Sequence, residues 1–181
     1  MRLDRGQGVD EVDIIIEAPE WELALPDVLG VVERAAAAAL QATTPAEGHW
    51  QTAILLGYDA TLRDLNRRFR GQDKPTNVLS FPAAPPAGQA PRRAAPPGLP
   101  AEQPARQRGD IALAFETVER EAAEQGKRLA DHLAHLVVHG LLHLVGHDHA
   151  EESEAERMEA LEREILWRLG VADPYAAESL T

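Results

Sequence analysis

Six of the seven histidines lie within one short stretch of the chain, between His132 and His149. Two of them, His139 and His143, are four residues apart in an apolar stretch that predicts a helix. Four residues turn a helix by about 400°, so both imidazoles would project from one face, about 6 Å apart along the axis. Gly146 can then reverse the chain and bring His149 to the same point. The spacing therefore predicts that His139, His143 and His149 bind one metal ion.

Three histidine ligands would leave one position of a tetrahedral zinc ion open, which is the pattern of catalytic rather than structural zinc sites. We therefore expect a single Zn²⁺ ion per chain. Asp148 or a nearby backbone oxygen is the candidate acceptor for the far nitrogen of a ligand histidine. We expect His132 and His135 to pack or to support the site, and His147 to point away from it.

The spacing HxxxHxxGxxH is also that of the metzincin peptidases, in which a glutamate after the first histidine acts as the general base. Here that position is Gly140, which has no side chain. The sequence therefore disfavours peptide hydrolysis. It leaves open a metal-dependent reaction on a substrate with a better leaving group or with its own nucleophile, such as the 2′-hydroxyl of RNA.

A second cluster of chemically active residues is basic. Residues 63–108 contain nine of the 18 Lys and Arg but only three of the 30 Asp and Glu, which makes this segment +6 and the rest of the chain −18. This asymmetry can attract a polyanion to one face, although solvated arginines on a helix and a loop explain the same charges. Arg70 ends a predicted helix, where it could hold a phosphate or only interact with its own helix C-terminus.

Periodic apolar patterns predict the elements that must position these residues. Short β-branched or apolar runs predict strands at 12–17, 50–57, 77–81 and 110–115. Amphipathic stretches predict five helices, which begin near residues 26, 59, 116, 129 and 153. The Pro- and Ala-rich residues 82–108 predict a disordered or mobile loop between two strands that pair with each other, 77–81 and 110–115.

Length and composition favour a single domain over residues 1–181. The absence of cysteine excludes disulfides, thiolate zinc fingers, iron–sulfur clusters and a cysteine nucleophile. The net charge of −12 argues against a general nucleic-acid coat protein. No apolar run is long enough to span a membrane and no signal peptide is recognisable, so we expect a cytoplasmic protein.

Two long motifs carry most of the chemistry described above. The first is LNRRFRGQDKPTNVLSFP at residues 65–82, and the second is HGLLHLVGHDH at residues 139–149. Together they resemble the YbeY family of bacterial endoribonucleases, which are rRNA maturation factors. The Gly-Asp-Ile sequence at 109–111 and the acidic last helix are similar as well. Two features depart from the family pattern: His147 stands where the family has tyrosine, and the loop at 82–108 is longer.

The resemblance implies an α+β fold, with a small mixed β-sheet of about four strands packed with about five helices and a metal site in a cleft. It implies zinc bound by His139, His143 and His149, with Arg70 and His139 tied to activity. It implies a single-strand-specific endoribonuclease that matures the 3′ end of small-subunit rRNA and takes part in ribosome quality control. Its partners would be rRNA and the ribosome, with ribosomal proteins or assembly GTPases as further candidates, and no membrane.

Two other functions are compatible with these residues. One is a non-catalytic ribosome assembly factor in which the metal only stabilises the last loop. The other is a different zinc-dependent hydrolase, including a peptidase.

Overall fold

The computed structural model describes residues 11–43, 50–83, 106–147 and 152–176. Within these ranges the chain forms a four-stranded sheet and six helices. The strands β1 to β4 are Glu11–Ile16, Trp50–Gly57, Val78–Pro82 and Arg106–Ala114. The helices α1 to α6 are Glu20–Ala24, Val28–Thr43, Asp59–Arg70, Phe115–Glu124, Leu129–Leu144 and Glu152–Arg168. The predicted α+β class with a small mixed sheet is confirmed.

The short helix α1 was not predicted from the sequence. Its Trp21 is buried, donates a hydrogen bond from Nε1 to Gly57 O at 3.4 Å, and packs edge-on against Phe115 with ring centroids 5.2 Å apart. Packing therefore stabilises a helix that is too short to form by propensity alone. None of the helices in the described ranges combines the length and apolar character needed to cross a membrane.

The sheet has the strand order β1-β2-β4-β3. β1 pairs with β2 and β2 with β4 in parallel, whereas β3 pairs with β4 in the antiparallel direction. The predicted pairing of β3 with β4 is confirmed, with Ser80 opposite Ile111. Since β3 is an edge strand among the described residues, its outer carbonyl groups can accept hydrogen bonds from side chains.

The predicted loop at 82–108 was too long at both ends. Pro82 is the last residue of β3, and residues 106–108 belong to β4. Arg106 and Gln107 pair with Trp50 and Gln51 at the start of β2, and Arg108 is the extra residue where the register shifts between Gln51 and Thr52. Backbone pairing with β2 therefore extends the strand into a polar sequence that composition alone assigns to a loop. Residues 84–105 of the predicted loop lie outside the described residues.

The two faces of the sheet bury different layers. Ile54, Ile111 and Leu113 belong to the main core with α2, α4, α5 and α6. The alternate residues Ala112 and Ala114 pack instead against Leu62 of α3 in a smaller cluster. Because side chains alternate along a strand, the histidine-bearing helix α5 and the arginine-bearing helix α3 lie on opposite faces of the sheet.

Helix α5 lies close to the sheet at Gly140. A Cβ atom at this position would lie 3.1 Å from Ile111 Cδ1 and 3.1 Å from Ser80 Oγ. The Ser80 hydroxyl also donates a hydrogen bond to Gly140 O at 3.1 Å. Gly140 therefore faces the sheet, and this contact sets the position of the neighbouring His139 relative to β3.

Gly140→Ala should lower the free energy of unfolding by about 1 kcal/mol, because overpacking outweighs the higher helix propensity of alanine. Gly30→Ala in α2 is a matched control, since a Cβ there meets the flexible side chains of Asp27 and Arg34. Urea denaturation of both variants measures the difference. A Gly140→Ala protein as stable as the wild type would contradict a fixed spacing between α5 and the sheet.

Candidate metal centre

The structure brings the rings of His139 and His143 together on one face of α5. Their centroids lie 4.6 Å apart, and their two Nε2 atoms lie 3.1 Å apart. Two donors about 2.1 Å from one tetrahedral zinc ion are separated by about 3.4 Å. The pair therefore has nearly the separation that a shared metal ion requires, and either a proton on one ring or a cation between the rings satisfies the contact.

The third predicted ligand, His149, lies outside the described residues, as does Asp148. After α5 ends at Leu144, Gly146 adopts a φ of +95°, which residues with side chains rarely adopt. The turn predicted at this glycine is confirmed. The role of His149 as a ligand stays a prediction.

A buried carboxylate holds the far side of the His139 ring. Glu162 of α6 has 0% of its surface exposed, and its Oε1 lies 2.6 Å from His139 Nδ1. The other oxygen, Oε2, lies 3.5 Å from His135 Nε2 and accepts a hydrogen bond from the Tyr175 hydroxyl. Since Glu162 is the partner of Nδ1, the Nε2 atom of His139 is the one that faces His143.

The surroundings of Glu162 keep it ionised. Burial alone would raise the pKa of Glu162, but hydrogen bonds from His135, His139 and Tyr175 outweigh burial and lower the pKa to about 2. Burial and the adjacent Glu162 carboxylate raise the pKa of Tyr175, so its hydroxyl keeps the proton that it donates. An ionised acceptor with three donors around it strongly orients the His139 ring.

The same residues form a group that could itself hold a metal ion. One donor atom from each of His135, His139 and Glu162 lies within 4.8 Å of the others. Both sides of the His139 ring therefore offer ligand chemistry: a histidine nitrogen on the Nε2 side, and a carboxylate with a second histidine on the Nδ1 side.

Glu162 was not among the site residues predicted from the sequence. The predicted acceptor behind a ligand histidine was Asp148 or a backbone oxygen, and for His139 this prediction was wrong because Glu162 takes this position. A signal was present in the sequence. Glu162 follows Met158 by four residues and precedes Ile165 by three, and both of these are buried. Helical spacing therefore places Glu162 on the inner face of α6.

His132 has a different partner. It is buried, and its Nε2 lies 2.9 Å from Glu121 Oε2, which also accepts a hydrogen bond from Asn77 Nδ2 at 2.9 Å. Burial lowers the pKa of His132, and the nearby Glu121 carboxylate opposes this shift. This network joins α4, α5 and the residue before β3, so His132 supports the packing of α5 and lies outside the cluster around His139.

Arg70 lies at the sheet edge, at the end of α3. Its Nη2 donates a hydrogen bond to Ser80 O at 3.0 Å, rather than to its own helix. The Ser80 hydroxyl in turn donates a hydrogen bond to Gly140 O. Arg70 is therefore linked through Ser80 to Gly140 of α5, the residue that follows His139. A guanidinium has five N–H donors, and the bond to Ser80 is the one that Arg70 makes within the described ranges. Its remaining donors can bind an anion.

The turn after Arg70 is held by the buried side chain of Asn66. Gly71 takes a φ of +69° and ends α3, with its N–H donating to Asn66 O. Asn66 Nδ2 donates to Lys74 O at 2.9 Å. These hydrogen bonds hold the polar turn between α3 and β3 against the helix. The backbone at Arg70 is therefore fixed in position.

The other arginines of α3 are paired with carboxylates. Arg63 binds Asp73 with two hydrogen bonds of 2.7 and 3.0 Å. Arg67 and Arg68 share Asp64 at 2.7 and 2.8 Å. These exposed pairs are weak, but they reduce the positive field that the charge count of this segment predicts.

The fold and the site together define an α+β protein with a candidate metal centre of histidines, oriented by a buried carboxylate and linked to an arginine that can bind an anion. Comparisons with known proteins agree with this description. The family model for Endoribonuclease YbeY matches residues 16–170, and the chain belongs to this family.

Curated relatives named Endoribonuclease YbeY cover most of the chain. The protein from Chelativorans sp. strain BNC1 is 52% identical, over 91% of this chain and 93% of the relative. The protein from Bradyrhizobium sp. strain BTAi1 is 48% identical, over 93% and 94%. The solution structure of TM1509 from Thermotoga maritima, at 23% identity, has a TM-score of 0.50 over 90% of this chain and 97% of that one. This last likeness supports the fold.

Glu162→Gln should weaken zinc binding by roughly 10- to 100-fold, because supporting hydrogen bonds to a ligand histidine contribute this much to metal affinity. The amide keeps the shape of the side chain but turns one acceptor oxygen into a donor. Competition with a chromophoric zinc chelator measures the affinity.

The matched control is Glu164→Gln, which removes an exposed carboxylate from the same helix, where it pairs with Arg168. This control should bind zinc like the wild type. Equal affinities for all three proteins would mean that Glu162 does not orient a metal ligand.

Proposed function

We propose that the protein is a metal-dependent endoribonuclease that cleaves single-stranded regions of rRNA, in maturation of the small-subunit 3′ end and in ribosome quality control. The observation that carries the proposal is the 3.1 Å distance between the Nε2 atoms of His139 and His143. Arg70 is linked through Ser80 to Gly140, the residue next to His139. The curated relatives are named Endoribonuclease YbeY, which supports the reaction class. rRNA and the ribosome are the proposed partners, in the cytoplasm.

We propose zinc as the metal ion and His139, His143 and His149 as its ligands. The contact between His139 Nδ1 and Glu162 is 2.6 Å long. Ligands of one tetrahedral ion would be about 3.4 Å apart, so this distance fits a charge-assisted hydrogen bond instead. The Nε2 side of His139 is therefore favoured over the group formed with His135 and Glu162. A zinc ion held by these histidines would supply Lewis acidity toward a phosphate oxygen or a water molecule.

The residues of the chain have separate roles in this proposal. Glu162 holds the proton on His139 Nδ1, which keeps the Nε2 lone pair directed toward His143. Arg70 binds a phosphate and neutralises the negative charge that grows as a fifth oxygen approaches phosphorus. Ser80 fixes the position of Arg70 relative to α5 through its backbone and its hydroxyl.

The packing of Gly140 argues against the peptidase alternative. The general base of the metzincin peptidases would stand at this position, where a Cβ would already crowd Ile111 and Ser80. A glutamate there would need space that the sheet occupies. This observation disfavours peptide cleavage by the metzincin mechanism.

Arg70→Ala should keep its zinc and lower kcat/KM on single-stranded precursor rRNA by about a hundredfold, as expected for the loss of one donor to a developing charge. Arg67→Ala is the control, since this exposed arginine on the same helix pairs with Asp64. Gel assays of cleavage and elemental analysis of zinc measure the two properties. Unchanged cleavage by Arg70→Ala would remove Arg70 from the mechanism.

His143→Ala should lose both zinc and cleavage while it stays folded, because His143 is only partly buried and Glu162 still holds His139. Circular dichroism measures folding beside the metal and cleavage assays. If the wild type with full zinc occupancy does not cut single-stranded rRNA, and His143→Ala unfolds, the metal is structural. The assembly-factor alternative would then replace the proposal.

A further inference from the structure

An aromatic pair lies beside Arg70 and has no part in the function proposed above. Phe69 of α3 is 64% exposed, and its ring meets that of Phe81 edge to face, with centroids 5.2 Å apart. Phe81 on β3 is partly buried and packs against the small cluster under α3. The inner ring is therefore anchored, and it holds the outer ring in a fixed place at the surface.

The surroundings of the pair are basic. Arg68 and Arg70 flank Phe69 in the chain, and Phe81 follows Ser80, whose carbonyl accepts the hydrogen bond from Arg70. Arg67 and Arg68 share the single carboxylate of Asp64, which leaves a positive charge on this turn. Exposed aromatic rings among cations are the features with which proteins bind single-stranded nucleic acid: the bases stack and the phosphates pair with the cations.

We propose that Phe69, supported by Phe81, is a stacking platform for one unpaired base of the RNA substrate, with a backbone phosphate at Arg70. This inference rests on the proposed function. A base is favoured over a protein partner because the platform is one ring pair wide and belongs to a helix turn that carries Arg67, Arg68 and Arg70. A stable protein contact, in contrast, buries about 800 Å² on each partner.

The position of the platform defines which part of the substrate it binds. Phe69 belongs to the α3 face of the sheet and His139 to the α5 face, and the edge strand β3 separates them. An RNA strand that reaches both must pass around β3, where Arg70 lies. The stacked base is therefore a flanking base, and the platform contributes to substrate affinity rather than to the chemical step.

The test measures binding of zinc-loaded protein to two fluorescein-labelled probes by anisotropy, before cleavage is detectable. One probe is a single-stranded oligouridylate, and the other is an abasic ribose-phosphate oligomer of equal length. Phe69→Ala should weaken binding of the oligouridylate at least about fivefold, since one stacked base contributes this much, and should leave binding of the abasic probe unchanged. Phe69→Trp should restore binding, and KM should rise in Phe69→Ala while kcat stays the same.

Trp167→Ala is the control, because Trp167 of α6 is 78% exposed and should not affect either probe. Equal binding of the oligouridylate by wild type and Phe69→Ala would overturn the platform and leave the proposed function intact. Equal loss of both probes would also overturn it, since phosphate contacts alone would then be affected. If Phe69→Ala changes only self-association in sedimentation, the pair is a protein contact and the inference fails. A wild type that neither binds nor cuts single-stranded RNA would overturn the proposed function as well.

Discussion

The hydrogen bond between Glu162 and His139 is the interaction on which the candidate site depends. A fully buried ionised carboxylate is costly unless donors surround it, and here His139, His135 and Tyr175 provide them. These donors come from α5 and from the segment after α6, so the carboxylate joins three parts of the chain. The His139 ring cannot turn away without leaving a buried charge short of a partner. The orientation of its Nε2 atom is therefore coupled to the stability of the fold.

The edge strand β3 allows residues on opposite faces of the sheet to act at one place. A central strand would use its carbonyl groups in pairing on both sides, but the outer side of β3 leaves Ser80 O as an acceptor for Arg70. The side chain of the same residue points to the other face and bonds to Gly140 O. One residue thus holds both the arginine and the histidine helix, which is possible only where the sheet ends.

Local patterns predicted most of the fold and the proximity of His139 to His143. The 3.6-residue period located α5 and placed these two histidines on one face. Short β-branched or apolar runs located the four strands, and the consecutive positions of β3 and β4 along the chain predicted their pairing. The acceptor behind His139 and the bond from Arg70 to Ser80 join residues 23 and 10 positions apart, and no local period reports such contacts. The helical period does report the burial of Glu162, although not its partner, because its spacing from Met158 and Ile165 puts a charged residue on a buried face. A carboxylate that helical spacing forces inward predicts a donor cluster nearby.

The distribution of charge is compatible with the proposed binding of RNA at one edge of the sheet. A net charge of −12 disfavours general attraction of a polyanion to the chain. Asp64 of α3 and Asp73 of the turn after it pair with three arginines of α3, which limits nonspecific attraction at long range. Arg70 differs from these arginines because its partner is a neutral carbonyl and not a carboxylate. Its positive charge is therefore not compensated by this contact and could attract a phosphate at the sheet edge. An acidic chain with an uncompensated arginine at the sheet edge would direct the proposed RNA substrate to that edge.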